Sequence, residues 1–243
     1  MHLDETTAPQ PATTRPAATG PAAPHPLPPG QRPAPLEPFG LTPFAAVHPR
    51  VPARPSVTVG GAVRRPTQFD AAELLALPGH GDRRADLHCV TTWTAVGLEW
   101  HGVPFRAVHE MIAREVEPRG SARWVTFIAL DGFRATMLLD DALTGDVLLA
   151  DTLGGVPLTP DNGAPLRLVA PAHYGYKNVK HVCAIEYGTR YKAGWRGWMS
   201  HPRGRVAREE RSRFLPGRVW RLCWRALLPS SRKAYTALRE RTR

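Results

Sequence analysis

The stretch LHCVTTWTAVGLEWHGVPF, residues 87–105, holds Cys89, one of three cysteines in the chain. His88, Trp93, Trp100 and His101 surround it. A thiol just before a run of small hydroxyl residues can be a small core residue, a nucleophile or a soft metal ligand. A nucleophile needs a histidine within hydrogen-bond reach. His88 is adjacent, but alternation along a strand turns it to the opposite face, and His101 comes closer only through the turn. Cysteines at 89, 183 and 223 form no CxxC pair, no iron–sulfur pattern and no CxxCH haem site. On the residues alone, a core thiol and a metal-binding thiolate both stay open.

A second chemistry-bearing region begins at DNGAPLRLVAP, residues 161–171. Asn162-Gly163 turns the chain, Pro165 stiffens it, and Arg167 enters the next strand. A guanidinium there can make paired bonds to a phosphate or a planar heterocycle. HYGYKNVK, residues 173–180, adds Gly175, Lys177 and Lys180. Backbone N–H groups freed by glycine, flanked by Lys and Arg, are the makings of an anion cradle. Taken singly, each loop reads equally as a surface turn; together they favour an anionic cofactor.

Short strands must position these groups. SVTVGGAV (56–63), RADLHCV (84–90), GLEWHGVP (97–104) and DVLLADTLGG (146–155) read as strands. ARWVTFIALDGFRATMLL (122–139) predicts a hairpin turning at Asp131-Gly132. A strand is expected over 166–169, and NVKHVCAIEYG (178–188) alternates Val179, His181, Cys183 and Ile185 on one side. PTQFDAAELLALP (66–78) predicts a short helix stopped by Pro78. PFRAVHEMIAREV predicts another, with Val108, Ile112 and Val116 on its buried face. The sum is an α+β fold of mixed, mostly antiparallel sheets with short helices.

Charge and composition divide the chain. Twelve of the 26 prolines precede Ala45, in a segment almost without large apolar residues, so residues 1–43 are expected to form a disordered arm. From Arg196 to Arg243 there are 14 Lys and Arg against three Glu, a net of +11, while the rest of the chain is neutral. The expected domain spans 44–211 and the basic tail 212–243. GRVWRLCWRALLP (217–229) places Val219, Leu222, Cys223, Ala226 and Leu227 at helical spacing, with Arg218, Arg221 and Arg225 on another face. Such a helix suits an anionic membrane surface or an acidic groove; packing its apolar face on the parent domain is the alternative. No secretory or membrane-spanning segment is visible, so the cytoplasm, with contact at the membrane periphery, is the expected location.

LHCVTTW…WHGVPF, FIALDGF, LLADTLGGVPLTPDNGAPLRLVAP and YGYKNVKHVCAIEY, in that order and spacing, resemble the sulfite oxidase family of molybdopterin-dependent oxidoreductases. The resemblance spans about residues 44–211. It implies the sulfite-oxidase-type molybdopterin-binding fold and a molybdenum held by a pyranopterin dithiolene and one protein thiolate, at Cys89. It places Asn162 and Arg167 on the pterin and its phosphate, and Asn178, Val179 and Lys180 along the cofactor; Lys177, from the anion-cradle reading, joins the expected cofactor-binding residues. His48, in AAVHPRVP, stands near a family histidine. The six residues that follow the cysteine, VTTWTA, carry no arginine, unlike the sulfite-binding run of sulfite oxidases. The pattern is closer to the bacterial branch that includes a methionine-sulfoxide reductase catalytic subunit.

The implied activity is two-electron oxygen-atom transfer on a small substrate, an S-oxide or an N-oxide, with Trp93, His101 and Tyr174 expected at the pocket mouth. A separate electron-transfer partner is implied, and nucleic acid is not an expected partner. The alternative is a non-catalytic cofactor-binding protein whose tail binds a membrane, nucleic acid or acidic partner.

Overall fold

The structure, a computed structural model, describes residues 26–195, 197 and 200–241. Two sheets face a shared core. The first runs β1 (Arg32–Pro33), β5 (Trp93–Pro104), β8 (Leu148–Leu153), β10 (Arg167–Val169), with β4 (Gly81–His88) also paired to β5 and β9 (Val156–Pro157) to β8. The second runs β3 (Thr67–Asp70), β2 (Ser56–Gly61), β11 (Val182–Gly188), β6 (Trp124–Ala129), β7 (Arg134–Leu138). The β1–β5 and β2–β11 pairs are parallel and the rest antiparallel. The α+β class with mixed, mostly antiparallel sheets is thus the observed one.

Helix α2 (Phe105–Val116) ties the sheets together, packing on β2 of one and on β5 and β8 of the other. Phe105, Val108, Ile112 and Val116, spaced three and four apart, are its buried residues. Each such side chain contributes about 1.5–3 kcal/mol when withdrawn from water. Two short helices, α1 (Ala71–Leu75) and α3 (Leu139–Ala142), cap strand ends. The helix expected over 66–78 is confined to α1. Thr67–Asp70 instead lies against β2 as an edge strand with Phe69 buried, a non-local pairing that overrides helical tendency.

The alternation expected for 178–188 breaks at a β-bulge between Val182 and Ala184. One extra residue shifts the phase, so Val182, Ile185 and Tyr187 are buried while Cys183 is only half-buried. His181 enters this bulge with φ 54°, a left-handed backbone.

The described segments nearest both termini fold onto the body. Residues 1–25 of the expected arm lie outside the described residues. From residue 26 on, the segment is placed: β1 pairs with β5, and Ala34, Leu36 and Phe39 pack against Leu87, Trp93 and Ala95. Backbone pairing needs no large side chains, which is why composition misses it. The tail forms α4 (Gly217–Glu240), and among the described residues no helix is long and apolar enough to cross a membrane. It docks by the face opposite to the aliphatic stripe. Trp224, Arg232, Tyr235 and Arg239 turn inward, while Val219, Leu222 and Leu227 stay exposed. The surface beneath is aromatic and acidic. Arg232 lies over the Trp93 ring at 5.6 Å and 3.7 Å from Glu37, and Arg221 reaches Glu209 at 3.7 Å. Such a surface selects rings and guanidinium groups over aliphatic ones.

Candidate active site

Cys89 lies just past the end of β4, at the tip of the β4–β5 hairpin. Cys89 N donates to Trp93 O at 2.8 Å, and Thr92 N donates to Cys89 O at 3.2 Å. Thr92 accepts a left-handed φ of 79° to close so tight a turn. The tip is clamped from both chain ends. Gln31 Nε2 donates to Cys89 O at 3.2 Å, and the buried Arg211 Nη1 donates to Val90 O at 2.6 Å. Arg211 also reaches Pro29 O at 3.1 Å and stands over the Tyr174 ring. Behind the tip, His88 Nδ1 meets Thr94 Oγ1 at 2.8 Å, a contact across the hairpin. Cys89 Sγ sits 3.0 Å from Thr91 Oγ1, a hydroxyl placed to donate to a thiolate. On the other side, Gly175 presents bare backbone; an added Cβ would stand 4.0 Å from Cys89 Cα.

The thiol opens into a cavity of about 260 Å³. At its other end the loop 159–163 brings three basic side chains together. Gly163, at φ 106°, lets the turn lie against Arg167 and Lys180, where a Cβ would meet Lys180 Cβ at 3.0 Å and Arg167 Cβ at 3.1 Å. Arg167 is buried, donates from Nη1 to Asn162 O at 2.9 Å and lies 4.8 Å from the Trp100 ring centre. Its Nε has no hydrogen-bond partner among the described residues. Burial pushes its guanidinium down to about 10. Lys180 donates to Asp161 O at 2.6 Å, and burial, followed by the neighbouring Arg167 charge, pushes its ammonium down to about 7. His181 donates from Nδ1 to Ala164 O at 2.6 Å, and burial lowers its pKa.

Buried or half-buried cations with no carboxylate at ion-pair distance are costly, and Asp131, which also lines the cavity, only partly offsets Lys180 and His181. An orphaned guanidinium N–H, a depressed lysine and a histidine converging on one cavity fit an anionic group such as a phosphate. A partly exposed thiol at the far end fits a soft metal. The residues present therefore suit a cofactor that carries an anionic group at one end and a soft metal at the other, as a molybdopterin does.

The cavity gathers Cys89, Trp93, His48, Asn162, Arg167, Asn178 and Lys180 from the residues expected by sequence. The Asn178 side chain is spent on the backbone, accepting from Ala170 N at 2.7 Å. Four expected residues are not brought to the cavity. His101 lies on the surface of β5, 2.7 Å from Asp82 and edge-on to the His80 ring. Tyr174 is buried beneath Arg211, with Val90 and Val206. Lys177 is buried and reaches away, to the carbonyls of Thr136 and Pro202. Val179 is core, and its carbonyl accepts from Leu168 N. Thr91, Asp161, Tyr176, His181 and four residues of α4 line the cavity without having been expected. His181 adjoins Lys180 and was read as one more strand position.

Lys180 gives a pH test with sulfate, which does not titrate in this range, as the probe. A bound anion favours the ammonium, so binding is at full strength below pH 7. Above pH 7 the empty site loses its proton, and affinity should fall by up to about tenfold per pH unit. Calorimetry from pH 6 to 9 checks this. Lys180→Met should bind weakly with a flat profile; a flat profile in the parent chain would contradict the assignment.

Residues 45–196 match the model of the oxidoreductase molybdopterin-binding domain. The chain is 34% identical over 146 residues to the protein-methionine-sulfoxide reductase catalytic subunit of Ralstonia nicotianae, covering 54% of this chain and 43% of that protein. The same subunit of Xanthomonas axonopodis is 33% identical over 147 residues, 54% of this chain and 44% of that one. An uncharacterized oxidoreductase of Bacillus subtilis is 33% identical over 150 residues, 61% of this chain and 73% of that one. The chain spans less than half the length of the two reductase subunits. Among solved structures, the sulfane dehydrogenase SoxCD of Paracoccus pantotrophus shares the fold, with TM-score 0.50 at 19% identity over 61% of this chain and 41% of that one. With the family model covering well over half of its residues, the chain belongs to the molybdopterin-binding oxidoreductase domains of the sulfite oxidase type, whose cofactor is molybdopterin.

Proposed function

We propose that this chain carries out two-electron oxygen-atom transfer on a small S-oxide or N-oxide, with Cys89 as the protein ligand of molybdenum. The observation that carries this reading is the shared cavity, with one thiol at one end and, at the other, the buried Arg167 guanidinium with an unpartnered Nε beside Lys180. When bound, the cofactor supplies the two-electron redox chemistry and the site of oxygen exchange.

The chain's own residues do the rest. The β4–β5 turn holds Cys89 at a fixed point, and the Thr91 hydroxyl lowers the cost of its anionic form. Arg167 and Lys180 fix the far end of the cofactor and so set its orientation. Trp93, buried beside the thiol, excludes water from that wall. The absence of arginine from CVTTWT favours a neutral oxide over sulfite as substrate. The relatives' designation as catalytic subunits supports a separate electron carrier.

Metal and pterin content test the reading directly. Protein from a host that makes the cofactor should carry close to one molybdenum and one oxidisable, fluorescent pterin per chain. Its absence in repeated preparations would remove the enzyme and leave a scaffold.

A further inference from the structure

The family match ends at residue 196, yet the cavity does not. Trp224, Ser231, Tyr235 and Arg239 of α4 line it, at intervals of seven and four residues that put them on one side of the helix. A rise of about 1.5 Å per residue makes this lining face about 22 Å long. Its two ends meet the two ends of the site. Trp224 packs with Val90 and Tyr174, next to the thiol. Arg239 pairs with Asp161, whose carbonyl takes the Lys180 ammonium. Between them Tyr235 is buried against Phe39, ring centres 5.7 Å apart, and anchors the helix to the N-terminal segment.

We propose that α4 is a retention strap for the cofactor, with Arg239 as a further contact for its anionic end and Trp224 as a wall at its metal end. The proposal rests on the reading that the cofactor occupies this cavity. Arg239 stands in the same corner as Lys180 and Arg167, so an anion there meets a third cation. That cation comes from a separate element and is held in place by Asp161. A helix attached through both the empty protein's Asp161 pair and the bound anion is docked more tightly when the site is filled. Release of the cofactor then requires α4 to lift.

The test uses the full chain, loaded, with Arg239→Gln and Tyr235→Ala as variants. Pterin in the filtrate is followed over time after dilution, and hydrogen exchange of the α4 amides is compared between loaded and empty protein. Release should quicken by about tenfold or more in both variants, as expected for loss of a charged contact or of the anchor. In the parent chain, α4 exchange should slow by a similar factor on loading. Release within twofold of the parent in both variants, with α4 exchange unchanged on loading, would overturn the strap. If the parent purifies with neither metal nor pterin, the cofactor reading is what fails. In that case α4 exchange with and without sulfate decides the strap: protection supports it, and no protection overturns it.

Discussion

Replacing Cys89 with serine is expected to lower turnover by more than about 100-fold, beyond the cost of disturbing only the shell behind a metal ligand. The substitution keeps shape and a polar atom 3.0 Å from Thr91 Oγ1. It removes the soft, readily ionised sulfur that a metal ligand at this position must offer. The hairpin turn depends on backbone bonds of residues 89, 92 and 93 and on Gln31 and Arg211, none of which involves the thiol. The variant should therefore unfold within about 1 kcal/mol of the parent. Pterin content should also persist, since its anionic end is held elsewhere. Metal analysis, pterin fluorescence and turnover on the three proteins Cys89→Ser, Cys183→Ser and parent make the comparison. A Cys89→Ser protein that is loaded and active would end the ligand assignment.

Arg167→Met should act with opposite signs on two quantities. In the empty chain the buried guanidinium is satisfied at Nη1 but orphaned at Nε, and its lowered pKa records an unfavourable charge at every pH below about 10. Exchanging it for an apolar side chain of similar length is expected to raise the stability of the empty chain by about 1–2 kcal/mol. Affinity for the cofactor should fall by about 2–5 kcal/mol, a loss of roughly 30-fold or more. Denaturant midpoints of the empty proteins and pterin retention of the loaded ones measure the two effects. An Arg167→Met protein destabilised when empty would show instead that Arg167 is a structural residue held by Asn162 and Trp100.

The strand that leads to Cys89, the strand that carries Arg167, the Asp131-Gly132 hairpin and the buried face of α2 are all legible from local pattern, because each is set by period or turn chemistry. The misses share a different origin. The phase of β11 depends on a bulge, one residue that no alternation count reveals. Lys177 and Lys180 look alike in YKNVK. The turn ending at Asn178 sends one into the body toward Thr136 and the other into the cavity. Tyr174 and His101 have the chemistry of site residues, but their neighbours, Arg211 and Asp82, claim them. The orientation of α4 was hidden most deeply. Its aliphatic stripe is the more obvious face, and only the acidic and aromatic surface beneath it, drawn from residues 37–39, 93, 161 and 209, turns the other side inward.

That placement of α4 also orders events in time. The ribosome releases the β4–β5 hairpin and the loop 159–163 well before it releases residues 217–240. During that interval the cavity has its thiol and its cations but lacks one wall. On the strap proposal, a cofactor delivered in that interval would meet an open cleft, which the later-made α4 would then close. Loading would then be easiest early in the life of each molecule, and a chain that has folded empty would first have to lift α4.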